Sequence, residues 1–343
     1  MLAYIEITPW HWAGFLGIIF FFLALDLGVF HREAHVVHFK EALAWSFVWF
    51  ALAMLFAGAL VPLRGDRESL QFLTGYIIEL SLSMDNVFVI ALIFAYFRVP
   101  SLLQHRVLFW GILGALLMRG GMIWLGVELI RRFEWILYGF GAFLLFTGIK
   151  MLFAESEGVH PEKNPLIRLA RKVFPVTAEF DGQKFFTRIQ GTTEEGGDTV
   201  HLAKRLGQLA LTPLALVLLM VETTDLVFAL DSIPAIFGVT NKPFVIFTSN
   251  IFAILGLRSL YFVLAGAIRY FCHLKYGLAM VLAFIGVKML LDPHSARPKW
   301  FQLEIPTGLS LMIVLAIILV SIVASFVFPC RVPSSPVPPI KPD

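Results

Sequence analysis

The sequence predicts an all-α fold, a polytopic transmembrane helical bundle, on three observations. Of its 343 residues 58% are hydrophobic and only 15% are charged, and the mean hydropathy is +0.81, too apolar for a soluble domain. Apolar windows of roughly 20 residues, the length a helix needs to cross about 30 Å of hydrocarbon, recur along most of the chain. Two short acidic segments lie inside such windows. A carboxylate at mid-membrane costs about 2.5 to 3.5 kcal/mol and persists mainly where it faces a bundle interior and handles an ion.

About nine spans are expected, over 10–30, 42–61, 72–97, 105–127, 133–153, 209–237, 243–265, 267–291 and 306–328. Trp10, Trp12, Trp45, Trp124, Trp135 and Trp300 stand near their ends as interfacial anchors. The first span is expected to be retained, because the chain opens with Glu6 rather than a basic region and the run from Trp10 to Phe30 exceeds a signal-peptide core. The net charge of +3 says little, since loop charge sets orientation. The longest polar segment, 155–208, carries Lys163, Arg168, Arg171, Lys172, Lys184, Arg188, Lys204 and Arg205, and the positive-inside rule makes it cytoplasmic. Counting spans from it puts the N-terminus outside and the C-terminus inside. Within it, Asp181-Gly182 between the partly apolar runs of 176–189 is a β-hairpin signal. The tail 329–343, with five prolines from Pro333 to Pro342, is expected to be disordered. Cys272 and Cys330 provide neither a disulfide framework nor a metal motif.

The chain repeats itself. Tyr138-Gly139, Phe146, Gly148 and Lys150-Met151-Leu152 match Tyr276-Gly277, Phe284, Gly286 and Lys288-Met289-Leu290 at one constant offset. Leu117-Met-Arg119 matches Gly256-Leu-Arg258 at nearly the same offset. Glu79-x5-Asp85-Asn86 then superposes on Asp225-x5-Asp231-Ser232 if the second copy has a shorter connection after its first helix. Each copy holds three spans, and an odd number per copy makes the repeats inverted. That organises the chain as two N-terminal spans (1–71), a first repeat (72–154), the cytoplasmic loop (155–208), a second repeat (209–292), a last span (293–328) and the tail. Inverted repeats with polar interruptions at matching positions point to a transporter whose site lies at the repeat interface.

The candidate site consists of Glu79, Asp85 and Asn86 in one copy and Glu222, Asp225, Asp231 and Ser232 in the other. Glu79, Ser83 and Asn86 share a helix face, as do Glu222 and Asp225, whereas a six-residue separation turns about 240° and splits Glu79 from Asp85. Pro234 crowds the carbonyl of Leu230, so a kink beside Asp231 is expected. Carboxylates, a carboxamide and hydroxyls are hard oxygen donors, which favour Mn²⁺, Mg²⁺ or Ca²⁺. Met84 and Met220 are softer donors, but a Met in an apolar helix is usually packing. The bland alternative is that the acids pair with Arg119 and Arg258 and fasten the bundle; five acids against two arginines leave a negative surplus. Asp26 either guards an entrance or is a solvated end residue beside Arg32. Lys150 and Lys288, at matching span ends, are expected to snorkel.

The segments Leu25-Asp26-Leu-Gly-Val-Phe30-His-Arg, Glu79-Leu-Ser-Leu-Ser-Met-Asp85-Asn86 and Glu222-Thr-Thr-Asp225-Leu-Val-Phe-Ala-Leu-Asp231-Ser232-Ile-Pro234 resemble the TerC family of integral membrane proteins, with an arrangement similar to its Alx-type members. The resemblance covers nearly the whole chain apart from the tail. It implies a bacterial inner-membrane protein tied to manganese export, with a link to tellurite resistance, and implicates Glu79, Asp85, Glu222, Asp225 and Asp231. The segment from Thr192 to Gln208 is extended for this family.

Together these give the expectation of a transporter exporting Mn²⁺ by alternating access, Mg²⁺ and Ca²⁺ remaining open, with the lipid bilayer and the divalent cation as partners and no nucleic acid. Carboxylates crowded in one buried site titrate as a coupled set, which suits exchange of protons for metal. No Walker A motif is present for ATP coupling. Two rival classes are a stress-response or assembly module that uses the acids for a structural ion or partner, and an intramembrane metalloenzyme. The enzyme class lacks a His-rich motif or a nucleophile and base, so no enzymatic activity is expected.

Overall fold

A computed structural model describes residues 8–25, 39–133, 135–153, 164–177, 179–188, 209–265, 273–292 and 302–328. The chain forms α1 (Pro9–Leu25), α2 (Phe39–Arg64), α3 (Asp66–Tyr96), α4 (Ser101–Arg132), α5 (Ile136–Phe153), α6 (Pro165–Val173), strands β1 (Phe186–Arg188) and β2 (Leu209–Leu211), α7 (Pro213–Phe237), α8 (Pro243–Ala265), α9 (Leu274–Leu291) and α10 (Thr307–Val327). Eight of these helices, α2 to α5 and α7 to α10, are long and apolar enough to cross a membrane. The apolar α1 covers 17 residues, and residues 26–30 of the expected first span lie outside the described residues. Asp26, Glu134, Trp300, both cysteines, the extended segment 192–208 and the tail lie outside the described residues.

Local chemistry sets the boundaries. Gly65, at φ 89°, allows the sharp turn between α2 and α3 that an L side chain disfavours. Pro213 and Pro165 fill the first helical position, where no amide donor is needed. Thr212 caps α7 by accepting from Ala215 N, and Asn164 caps α6 by accepting from Leu166 N and Ile167 N. Residues 209–211 are therefore a strand outside α7, not its first turn. Trp10, Trp124 and Trp135 are exposed near helix ends, as interfacial anchors require.

α3 is the central helix, packing on α8, α7, α2 and α10, while α5 and α9 form the most extensive pair. That pair is built on glycine. A Cβ on Gly148 would stand 2.8 Å from both Ala279 O and Ala283 N, and one on Gly286 2.6 Å from Leu145 N and 2.8 Å from Gly141 O. The two backbones are in direct contact and run in opposite directions.

The expected local hairpin over 176–189 is corrected. The Asp181-Gly182 turn forms, with Gly182 at φ 52° and Lys184 N donating to Asp181 O at 3.0 Å. Its two arms, however, do not pair with each other. β1 pairs antiparallel with β2, Phe186 opposite Leu211, and Val176 bridges Leu211 in parallel. A strand distant in sequence has inserted between the arms, because Leu211 and Ala210 bury there.

Pro234 lies inside α7, which runs as one helix from Pro213 to Phe237. Only three residues follow Pro234 in the helix, and the end of α7 is packed tightly enough to hold its last turn. Lys150 is exposed, as a snorkelling residue should be. Lys288 is not; it is 4% exposed and its ammonium donates to Gly238 O at 3.0 Å, a backbone acceptor supplied by the loop after α7.

Candidate functional site

The buried face of α3 carries Glu79, Ser83 and Asn86, all nearly inaccessible, as their three- and four-residue spacing requires. α4 contributes Arg119, which is 2% exposed. Its Nε and Nη2 donate to the two carboxylate oxygens of Asp225 on α7, at 3.1 and 2.8 Å. Its Nη1 pairs with Glu79. One guanidinium thus holds an acid from each copy. Asn86 Nδ2 adds a third hydrogen bond to Asp225, at 3.1 Å.

Beside this clamp lies a small cavity, about 40 Å³, lined by Asp85, Asn86, Arg119, Asp231 and Ser232 with an apolar wall. A void of this size has room for an ion or one to three waters, since a water needs roughly 10 to 15 Å³ measured this way. Asp85 and Asp231 are equivalent positions in the two copies, and so are Asn86 and Ser232. Asn86 Oδ1 and Ser232 Oγ are buried without a hydrogen-bond partner among the described residues. An unpaired polar atom in such a place carries a desolvation penalty of about 1 to 3 kcal/mol. Oxygen acceptors at matching places therefore face one cavity between the copies.

The remaining predicted residues are dispersed around this centre. Glu222 lies one turn from Asp225 with its carboxyl pressed against Gly114 of α4, in the space a side chain there would occupy. Asp231 is close to Thr147 and Lys150 of α5, and Asp85 faces Lys275. Ser83 Oγ has no hydrogen-bond partner among the described residues. Arg258 does not join the clamp; its Nη1 contacts His105 Nε2 at 3.2 Å. Met220 is 7% exposed and its sulfur accepts from Asn164 at 3.3 Å, which accounts for its burial as packing.

The five acids do not close around one point. Among the described residues no three His, Cys, Asp or Glu side chains are grouped as a metal-holding cluster. Arg119 is the shared ion-pair partner of Glu79 and Asp225, while among the described residues no ion pair to Asp85, Glu222 or Asp231 is found. What the geometry brings together is narrower: two carboxylates, one amide oxygen and one hydroxyl around a cavity, with an ion-paired second layer. Gly114, whose missing side chain admits Glu222, is a position that the acidic pattern did not reveal; the glycine spacing Gly111-x-x-Gly114 was its only signal.

Comparison with known proteins agrees with this architecture. The sequence profile of the integral membrane protein TerC family matches residues 65–331. The chain belongs to the TerC family. It is 48% identical over 328 residues to an uncharacterized membrane protein of Myxococcus xanthus, covering 96% of this chain and 95% of that one. It is 46% identical over 314 residues to the "Putative membrane-bound redox modulator Alx" of Escherichia coli, covering 89% and 93%. A Rickettsia bellii membrane protein is 39% identical over 301 residues, covering 88% and 94%. No solved structure matches. As a TerC protein with bacterial relatives, the chain is a multi-pass integral membrane protein, and the bilayer is its environment.

Proposed function

We propose that this TerC protein exports divalent manganese across the bacterial inner membrane, N-terminus outside and C-terminus in the cytoplasm, with no enzymatic step. The observation that carries the reading is the cavity in which Asp85 and Asn86 of one copy face Asp231 and Ser232 of the other, with Asn86 Oδ1 and Ser232 Oγ unpaired. Two carboxylates and two neutral oxygens are hard donors suited to Mn²⁺, Mg²⁺ or Ca²⁺, with water completing the shell. Inverted repeats are supported by the α5–α9 contact, where equivalent glycines meet equivalent backbone of the antiparallel partner. In this reading Arg119 is the resident counter-charge. It holds Glu79 and Asp225 together while the cavity is empty of metal, and an entering cation weakens its hold on both.

The deciding experiment is a metal panel in proteoliposomes, comparing the wild type with Asp85→Asn and Asp231→Asn. Manganese flux should fall at least tenfold in each variant, with protein yield and monodispersity preserved. Equal flux in all three would remove the cavity from the mechanism.

The Arg119 clamp also favours a second reading, a membrane stress-response or assembly module of the tellurite-resistance or redox-modulating kind, in which the acids fasten the bundle and nothing crosses. Absence of flux in the wild type for every metal tested, with a folded protein, would select it.

A further inference from the structure

The geometry points to α6 as a binding surface for anionic phospholipid headgroups, set along the first turns of α7. α6 is nine residues long and presents three faces. Ile167, 1% exposed, packs with Leu214 and Val217 of α7. Leu166, Leu169 and Val173, spaced to form one stripe, are 41%, 56% and 62% exposed. Arg168, Arg171 and Lys172 form an exposed stripe on another side. Among the described residues no other helix divides apolar from basic residues this sharply.

Placement decides what covers those faces. The cap of α6, Asn164, contacts Met220 at 3.3 Å, and Met220 is seven residues into α7, about 10 Å along its axis. At the other end Pro175 O accepts from Leu211 N at 2.9 Å, beside the start of α7. The nine residues of α6, about 13 Å of rise, therefore span the same length as Leu211 to Met220 and run alongside the terminal turns of a membrane helix. α7 has 25 residues, about 37 Å, against a hydrocarbon core of about 30 Å. The end along which α6 lies therefore falls in the headgroup zone and the outermost chains. An exposed leucine stripe suits acyl chains at that depth, and three cations beside it suit lipid phosphates. The occupant is a phospholipid of net negative charge, and the inference does not depend on what the protein transports.

The test uses the full chain with Cys272 and Cys330 replaced by Ser and Leu169→Cys carrying an environment-sensitive dye, in nanodiscs of phosphatidylcholine alone or with phosphatidylglycerol. Brominated acyl chains should quench the dye and aqueous iodide should not. The Arg168→Gln/Arg171→Gln/Lys172→Gln variant should lose enrichment of phosphatidylglycerol around the protein, with up to about fivefold per removed charge. Quenching by iodide instead of brominated lipid would overturn the immersion of the stripe. Unchanged phosphatidylglycerol enrichment in the triple variant would overturn the headgroup site. A monodisperse elution profile for each variant separates either result from misfolding.

Discussion

Gly148 and Gly286 occupy equivalent places in one antiparallel crossing, each pressed on the backbone of the other's helix. A Cβ on Gly148 would meet Ala279 O and Ala283 N at 2.8 Å, and a Cβ on Gly286 would meet Leu145 N at 2.6 Å. Close backbone approach through small residues is the main source of helix association in lipid, where no hydrophobic effect separates one apolar face from another. Gly148→Ala and Gly286→Ala should each cost about 1 to 3 kcal/mol by overpacking, with similar size because the contact is self-complementary. Gly139→Ala and Gly121→Ala, where nothing lies within 4 Å of the added carbon, should be close to neutral. Thermal unfolding of the four purified variants in detergent checks this, and equal midpoints for all four would contradict it.

Arg119 offers a second measurement. Its guanidinium is the common partner of Glu79 and Asp225, so Arg119→Gln strands two buried carboxylates and should destabilise by about 3 to 5 kcal/mol. Arg119→Lys keeps the charge but loses the bidentate fork to Asp225, and should fall between. The double variant Arg119→Gln/Asp225→Asn should be less damaged than the sum of its singles, since neutralising the partner removes much of the stranded charge. Additive losses in that cycle would mean the clamp is not an energetic unit.

The turn at Asp181 lies outside the spans and gives a pH signature. A hydrogen bond from Thr187 at 2.6 Å, and then one from Lys184 at 3.1 Å, hold the Asp181 carboxyl below its ordinary value of 3.8. A lowered folded-state value means the turn gains stability that is fully present above pH 3.8 and is lost as pH falls below it through the folded value. Protection of the Lys184 amide, corrected for intrinsic exchange, should therefore be constant from pH 7 to 5 and decline on further acidification. Asp181→Asn should abolish that pH step; an unchanged step in the variant would show that another group causes it.

Those three measurements also mark where sequence reasoning reaches. The positions of the membrane helices were legible because a 20-residue apolar window has few other uses, and the matching of Gly148 to Gly286 needed only a constant offset, whereas that of Asp85 to Asp231 also needed a shorter connection in the second copy. The shared face of Glu79, Ser83 and Asn86 followed from helical periodicity. Pairing was not legible. Nothing local says that Arg119 reaches both Glu79 and Asp225 while Arg258 meets His105, because each choice depends on interhelical distances. Residues 186–188 chose Leu209–Leu211 over their neighbours across the turn, a long-range preference that a turn signal cannot report. The span-end position of Lys288 points to snorkelling, yet Gly238 O, brought near by the fold, lets it stay buried.

Glu222 yields the prediction most specific to the site. Its carboxyl fills the space beside Gly114, so α4 and α7 can approach there only because position 114 has no side chain. Gly114→Ala must push the carboxyl away or separate the helices. If Glu222 serves the ion path one turn from Asp225, Gly114→Ala should reduce manganese flux in proteoliposomes to the level of Glu222→Gln, on the order of tenfold or more. The reverse arrangement distinguishes function from packing: Gly114→Ala/Glu222→Ala, which makes room for the new methyl, should restore thermal stability without restoring flux. Recovery of flux in that double variant would show that Glu222 matters only for helix packing, and full flux in Gly114→Ala alone would show that neither residue lies on the path.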